Sequence, residues 1–281
     1  MGPSDPVTVG ICAHNEEETI GELIEAVFSE ELDLKEVILV VAGDDATEKI
    51  AREKREDHGD IRIIREEERE GQSAAQTKIL EKTETDLLFM IDGDGVFTPG
   101  SMEKMVEEYD GGSILYGREY PLLGERFTHR VIQVFWEMHH ELNRRTPSFT
   151  TQIALIPSDL VDRIPQEIVI DDEYLAQKAR EQGMKVKYFP GAIKVHNIKG
   201  DVKSFFRHRR KNWAGMIQIQ RMGYENMQPT RSKLRFYLEY FLRSSPRKMI
   251  YLAVLGWVEL LALVLAYWDS FRGRWPYIWK R

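Results

Sequence analysis

Apolar positions in the first hundred residues gather into four short runs, Val7–Ala13, Val37–Val41, Ile61–Arg65 and Leu87–Ile91. Each run is β-branched or aliphatic and only five to seven residues long, which predicts a buried strand. Between the first two, Ile20, Leu23, Ile24, Val27 and Phe28 recur at helical spacing, with Glu22 and Glu25 on the opposite side. Strands alternating with helices predict an α/β fold built on a parallel sheet. Ligands of such sheets sit beyond the carboxyl ends of the strands. The segments to inspect are therefore His14-Asn15-Glu16, Ala42-Gly43-Asp44-Asp45, Glu66 to Gln72 and Asp92-Gly93-Asp94. Neither G-x-G-x-x-G nor G-x-x-x-x-G-K-[ST] follows the first run, which argues against dinucleotide-binding and P-loop folds.

Farther along, Arg126 to Arg145 reads as a helix that Thr146-Pro147-Ser148 stops. A strand is expected at Ile153–Ile156, a helix from Asp171-Asp172-Glu173 to about Gln182, and a strand at Lys185–Phe189 closed by a turn at Pro190-Gly191. After Gly200 the chain turns to basic helices and then to Met249–Trp268, an apolar stretch whose only charge is Glu259.

Charge divides the chain at the same place. Among 281 residues with a net charge of -7, residues 1–200 hold 23 basic and 41 acidic side chains, whereas residues 201–281 hold 16 and 5. A wholly basic nucleic-acid binder is excluded, and the acidic body would repel a polyanion, so no nucleic-acid partner is expected. With 42% hydrophobic content the chain can bury a core. Cys12 is its one cysteine, which removes disulfide frameworks and cysteine zinc clusters. The first apolar run is short and unlike a secretion signal, so a reducing cytosol is expected for the catalytic part.

Asp92-Gly93-Asp94 follows five apolar residues, and positions i and i+2 of an extended chain project to one side. Two such carboxylates either cap a strand as a polar turn or hold Mg²⁺ or Mn²⁺, which takes further ligands from substrate phosphates. An EF-hand fails for lack of its closing ligands. The order of motifs resembles family 2 glycosyltransferases of the GT-A fold. Ile11-Cys12-Ala13-His14-Asn15-Glu16-Glu17 is similar to that family's I-P-A-Y-N-E-E, Asp92 and Asp94 to its D-x-D, and Asp171-Asp172 to its E-D pair. Its Q-x-x-R-W survives in Arg209-Arg210-Lys211-Asn212-Trp213 only as basic character and the tryptophan. The chain departs from the family's V-D-D-G-S with Val41-Ala42-Gly43-Asp44-Asp45, and the basic residue often found near Gln72 is absent.

The resemblance implies a GT-A mixed sheet flanked by helices and a metal-dependent transfer of sugar from a nucleoside diphosphate sugar. It implies donor contacts from Ala13, Asn15, Glu16, Asp44, Asp92, Gly93, Arg209, Arg210 and Trp213, and a metal held by Asp94 and Asp92 with His196 approaching it. Asp172, next to Asp171, takes the place of the catalytic base. Read without the resemblance, that pair is an acidic cluster stabilising a helix N-terminus. Transfer with inversion is expected, to a lipid-linked or glycan acceptor; an anionic lipid phosphate as nucleophile would need no base. A nucleotidyltransferase and a catalytically silent membrane scaffold are the alternative readings.

A catalytic domain over 1–215, a basic amphipathic linker over 216–248, a hydrophobic anchor over 249–268 and a basic aromatic tail over 269–281 complete the expected organisation. As a helix the anchor would be about 30 Å long, matching a hydrocarbon core. It reads as a spanning helix, as a shallow or re-entrant anchor, or as a buried or dimerising helix of a homo-oligomer. Trp268, Trp275, Tyr277 and Trp279 resemble an interfacial belt. The catalytic part is expected on the cytoplasmic side of the cell membrane, against an anionic surface.

Overall fold

A computed structural model describes residues 6–196, 202–228 and 230–275 of the chain. The expected early strands appear as β1 (Val7–His14), β2 (Leu34–Ala42), β3 (Ile61–Arg65) and β4 (Leu87–Asp92), joined through α1 (Ile20–Phe28), α2 (Thr47–His58) and α3 (Gln72–Leu80). They run parallel in the spatial order β3-β2-β1-β4. Both faces are covered, which is why these strands read as unbroken apolar runs. Val37, Leu39 and Val41 of β2 join a core with α1 and Ala51 of α2, whereas Ile38 and Val40 join one with Ala75 and Ile79 of α3.

Beyond β4 the sheet stops being parallel. β5 (Gly95–Phe97), α4 (Ser101–Glu107), β6 (Ser113–Pro121), α5 (Phe127–Arg145), β7 (Ile153–Pro157), α6 (Asp171–Glu181) and β8 (Lys185–His196) follow. They extend the order to β3-β2-β1-β4-β7-β6-β8-β5. β7 is antiparallel to both β4 and β6, β6 and β8 are parallel, and β5 is antiparallel to β8. The result is a mixed sheet rather than the parallel one that alternation predicts. β5 and β6 were not anticipated. Pro190-Gly191 does not end a strand: β8 continues to His196, and its register against β6 jumps from Tyr116↔Tyr188 to Arg118↔Ile193, so the extra residues form a bulge.

The remaining helices are α7 (Val202–Arg221), α8 (Thr230–Arg243) and α9 (Pro246–Phe271). α7 runs straight through the expected domain boundary at 215, and α9 outlasts the expected 249–268 anchor at both ends. A separate apolar cluster ties α5, α7, α8 and α9 together through Val131, Ile132, Phe135, Phe205, Phe236, Leu252 and Leu255. Residues 276–281 lie outside the described residues, and with them Tyr277 and Trp279 of the expected belt.

Candidate active site

The loops after β1 and β2 lock together at the edge of the site. Asn15, at φ 57°, accepts through Oδ1 from the Asp44 backbone N–H at 3.0 Å. Gly43, at φ 106°, lies so close to Asn15 that any Cβ there would collide with its side chain. The Glu17 backbone N–H donates to Asp45 at 3.1 Å, and Glu17 Oε2 accepts from the Ala46 N–H at 2.9 Å. Asn15 and Asp44 thus bind each other, while Ala13 and Glu16 line an open cavity with Gly93, Asp92, Asp94, Glu66 and Arg69.

Asp92 ends β4 and forms the far wall of that cavity. Gln72, the first residue of α3, donates through Nε2 to Asp92 Oδ1 at 2.9 Å, and Gln152 donates to Oδ2 at 2.6 Å. Beneath the carboxylates lies Lys194 of β8, fully buried. Its ammonium donates to the Asp92 carbonyl at 2.5 Å, to Asp94 Oδ1 at 2.7 Å and to Gln152 Oε1 at 2.8 Å, so all three of its protons are engaged. Burial pushes the Asp92 carboxyl up to about 8 against the pull of Lys194.

A second, larger cavity meets the first at Asp92 and Gln72. Asp171 and Asp172 face it from the start of α6. Gln76, one turn along α3 from Gln72, donates to Asp171 Oδ2 at 2.5 Å. Asp172 Oδ1 accepts only the Glu173 backbone N–H, at 2.7 Å, among the described residues. Burial holds Asp172 well above the ordinary carboxylate range, and the charge of Asp171 adds to it. Glu119 of β6 also lines this cavity, and burial raises it to about 7.

His196 closes β8 opposite Gly95. Its Nε2 is buried without a hydrogen-bond partner among the described residues, 4.0 Å from Glu119 Oε2, and burial lowers its pKa to about 4. A neutral imidazole with an orphaned nitrogen has the chemistry of a nitrogen ligand, but this one is buried against β5 and lines neither cavity. Among the described residues no three His, Cys, Asp or Glu side chains converge as a closed metal cage. Of the expected metal ligands, Asp94 and Asp92 line the smaller cavity, where a hard divalent ion would complete its shell with phosphate oxygens, whereas His196 lines neither cavity.

The basic run on α7 divides. Arg209 and Trp213 line the larger cavity, yet both meet Glu259 of α9: Arg209 Nε at 2.5 Å and Trp213 Nε1 at 2.7 Å. Arg210 lines neither cavity and makes a bidentate pair with Asp269 of α9, both bonds 2.6 Å. The sequence-based expectation that Arg210 contacts the diphosphate is thus not met by the geometry: its guanidinium is committed to another helix. Asn15 and Asp44 likewise turn toward each other instead of into the cavity.

A family model described as Glycosyl transferase family 2 matches residues 8–177, from β1 into α6. The chain belongs to glycosyltransferase family 2. It is a glycosyltransferase with a GT-A fold. Its structure is similar to that of the mannosyltransferase PcManGT from Pyrobaculum calidifontis in complex with GDP-Man and Mn²⁺, with TM-score 0.67, 16% identity, and coverage of 96% of this chain and 88% of that one. It is also similar to mannosyl-3-phosphoglycerate synthase from Rubrobacter xylanophilus, with TM-score 0.52, 14% identity and coverage of 78% and 75%. GalNAc-T7 with UDP, GalNAc and Mn²⁺ aligns with TM-score 0.54, 13% identity and coverage of 84% and 55%. Comparison with curated protein sequences returns no match.

Several residues of this family 2 glycosyltransferase escaped the sequence reading. Gln152, Glu119 and Lys194 surround the D-G-D segment together with Gln72, which closed a segment marked for inspection, and of the three only Lys194 left a legible trace. It stands alone as a charge in Ala192-Ile193-Lys194-Val195-His196, in step with Ala192 and His196, the buried positions of that strand.

Proposed function

We propose that the protein transfers a sugar, with inversion, from a nucleoside diphosphate sugar to an acceptor presented at a membrane, with Mg²⁺ or Mn²⁺ held at Asp94 and Asp92 in the smaller cavity. The observation that carries this reading is the shared wall: the smaller cavity, at the carboxyl ends of β1, β2 and β4, and the larger one, at Asp172, touch at Asp92 and Gln72. A donor seated in the first places its anomeric carbon at the mouth of the second.

Ala13, Glu16, Gly93 and Asp92 form the donor side. Lys194 fixes the D-G-D loop by gripping a carbonyl and a carboxylate at once, which preorganises the Asp94 side chain. A bound divalent cation supplies positive charge to the departing diphosphate. In the larger cavity Asp172 takes the proton of an acceptor hydroxyl as that oxygen attacks the anomeric carbon. The raised pKa of Asp172 brings it nearer the working pH, where a general base is most effective. Asp171 is held by Gln76 and positions the start of α6. Arg209 and Trp213 border the acceptor side, and residues from α7 to α9 form the membrane-facing part, with the catalytic part on the cytoplasmic side.

A thermal-shift panel of UDP-, GDP- and dTDP-sugars with and without Mn²⁺, followed by analysis of the released nucleotide, tests this. Stabilisation by one nucleotide sugar that depends on Mn²⁺ and is lost in Asp94→Ala, with release of nucleoside diphosphate, is expected. Release of pyrophosphate would make the protein a nucleotidyltransferase. The absence of any nucleotide-dependent shift would leave a silent scaffold.

A further inference from the structure

α9 is long and apolar enough to cross a membrane by length and composition. Its two sides are nevertheless unlike. Lys248 at its start pairs with Glu137 of α5 at 2.7 Å, Glu259 in its middle with Arg209 and Trp213 of α7, and Asp269 at its end with Arg210 of α7. Arg221, the last residue of α7, donates to the Ser270 carbonyl at 3.1 Å. Between these ties Leu252, Leu255, Ala262 and Ala266 are buried against the protein. One side of α9 is therefore bolted along its whole length to two helices that carry charges.

The other side is bare. Ile250, Trp257, Val264 and Phe271 recur every seven residues and are 58%, 73%, 55% and 81% exposed. Seven residues are nearly two turns, so the four form one stripe. Leu260, Leu261, Tyr267 and Trp268 widen it, and Leu234, Leu238 and Leu242 make a similar exposed row on α8. A contiguous apolar face of this extent marks a contact surface. Its chemistry points to lipid: the apolar rows are flanked at the helix ends by exposed Arg231, Arg243, Arg247 and Arg272, which complement anionic headgroups.

We infer that α8 and α9 form an in-plane anchor, with α9 lying along the bilayer surface and its 250-257-264-271 stripe sunk among the acyl chains. A crossing α9 would draw α7 into the hydrocarbon with Arg207, Arg209, Arg210 and Lys211, which the bilayer core disfavours strongly. The anchor gives the membrane reading of the function a definite geometry, and it stands or falls without any reference to catalysis.

The test uses the full chain. Vesicles of anionic phosphatidylglycerol should sediment it, vesicles of zwitterionic phosphatidylcholine should do so weakly, and salt should reduce the first effect. Trp257→Glu with Leu261→Glu should lower partitioning at least tenfold while circular dichroism and the thermal shift with nucleotide sugar stay unchanged. Spin labels at single cysteines replacing Ile250, Trp257, Val264 and Phe271, in a Cys12→Ser background, should report one shallow depth, about 5–10 Å below the headgroups. A helix that crosses would spread the same labels over about 31 Å. Such a spread overturns the inference. So does failure to bind anionic vesicles, or a soluble dimer that Trp257→Glu dissociates, which would assign the stripe to a second copy of the chain.

Discussion

Two pairs of aspartates face the joined cavities, and their surroundings are opposite. Asp92 and Asp94 stand over a buried ammonium, with Gln72 and Gln152 supplying amide donors to Asp92. Asp171 and Asp172 stand at a helix start with no ammonium in hydrogen-bond contact among the described residues. Asp171 takes Gln76, and Asp172 takes one backbone N–H. Side chains alike in charge and shape are thereby suited to different work. The first pair is fixed in place by an ammonium and two amides, an arrangement that suits a cation or a ribose hydroxyl, while burial still pushes the Asp92 carboxyl up. The second is desolvated and left eager for a proton, the state a base needs.

The comparison breaks most sharply at Asp172. Asp172→Asn keeps the shape and removes the proton acceptor, so turnover should fall by about 10²–10⁴-fold, while calorimetry with the nucleotide sugar returns the wild-type affinity. Stability should rise at neutral pH. A carboxyl whose pKa is raised on folding binds its proton more tightly in the native state, so it stabilises fully below its unfolded value near 4, and that contribution is lost as pH rises through the folded value. Removing the carboxyl removes that loss. A lower urea midpoint for Asp172→Asn at pH 8 would contradict the assignment.

At the other pair the sign reverses. Lys194→Met leaves Asp94 and the Asp92 carbonyl without their donor, and breaking a buried ion pair from one side costs about 3–5 kcal/mol. The Asp94 side chain is 30% exposed, so water recovers part of this and the low end is expected. The urea midpoint at pH 7 measures it. Adding Asp94→Asn, which removes the stranded charge, should restore some of the loss. Additive effects of the two substitutions would mean that the pair is not coupled.

This contrast between the pairs was only half legible in the sequence. Asp92, Asp94, Asp171 and Asp172 could be singled out because each follows a local signal, a strand end or a helix start. Their partners could not, because Lys194 lies 100 residues from Asp94 and Gln152 lies 60 from Asp92. Only the crossing of β7 and β8 into the sheet joins them. Distance in sequence also misled the reading of Arg210, whose carboxylate partner Asp269 comes 59 residues later on a helix read from its apolar composition alone. Glu259, read in the sequence only as the one charge of that apolar stretch, is the residue that joins the middle of α9 to α7. β1 to β4 were readable because burial on both faces leaves an unbroken apolar run. β6 was not, since Arg118 and Glu119 break its pattern where Glu119 turns toward the larger cavity.

The smallest effect distinguishes the two causes acting on Asp172. Burial is the larger, and the charge of Asp171 is the second. If Asp172 is the base it acts as a carboxylate, so turnover should climb with pH along a limb set by Asp172, displaced above the ordinary carboxylate range. Asp171→Asn removes the like charge and keeps an acceptor oxygen for Gln76. The limb should then move down toward lower pH without reaching the ordinary range, because the cavity still desolvates the remaining group. A pH-rate profile of the two proteins under saturating donor reads the shift directly. If the limb falls all the way to the ordinary carboxylate range, repulsion within the pair rather than burial tunes the base. If it does not move at all, Asp171 is already protonated at working pH and the two acids share a single charge.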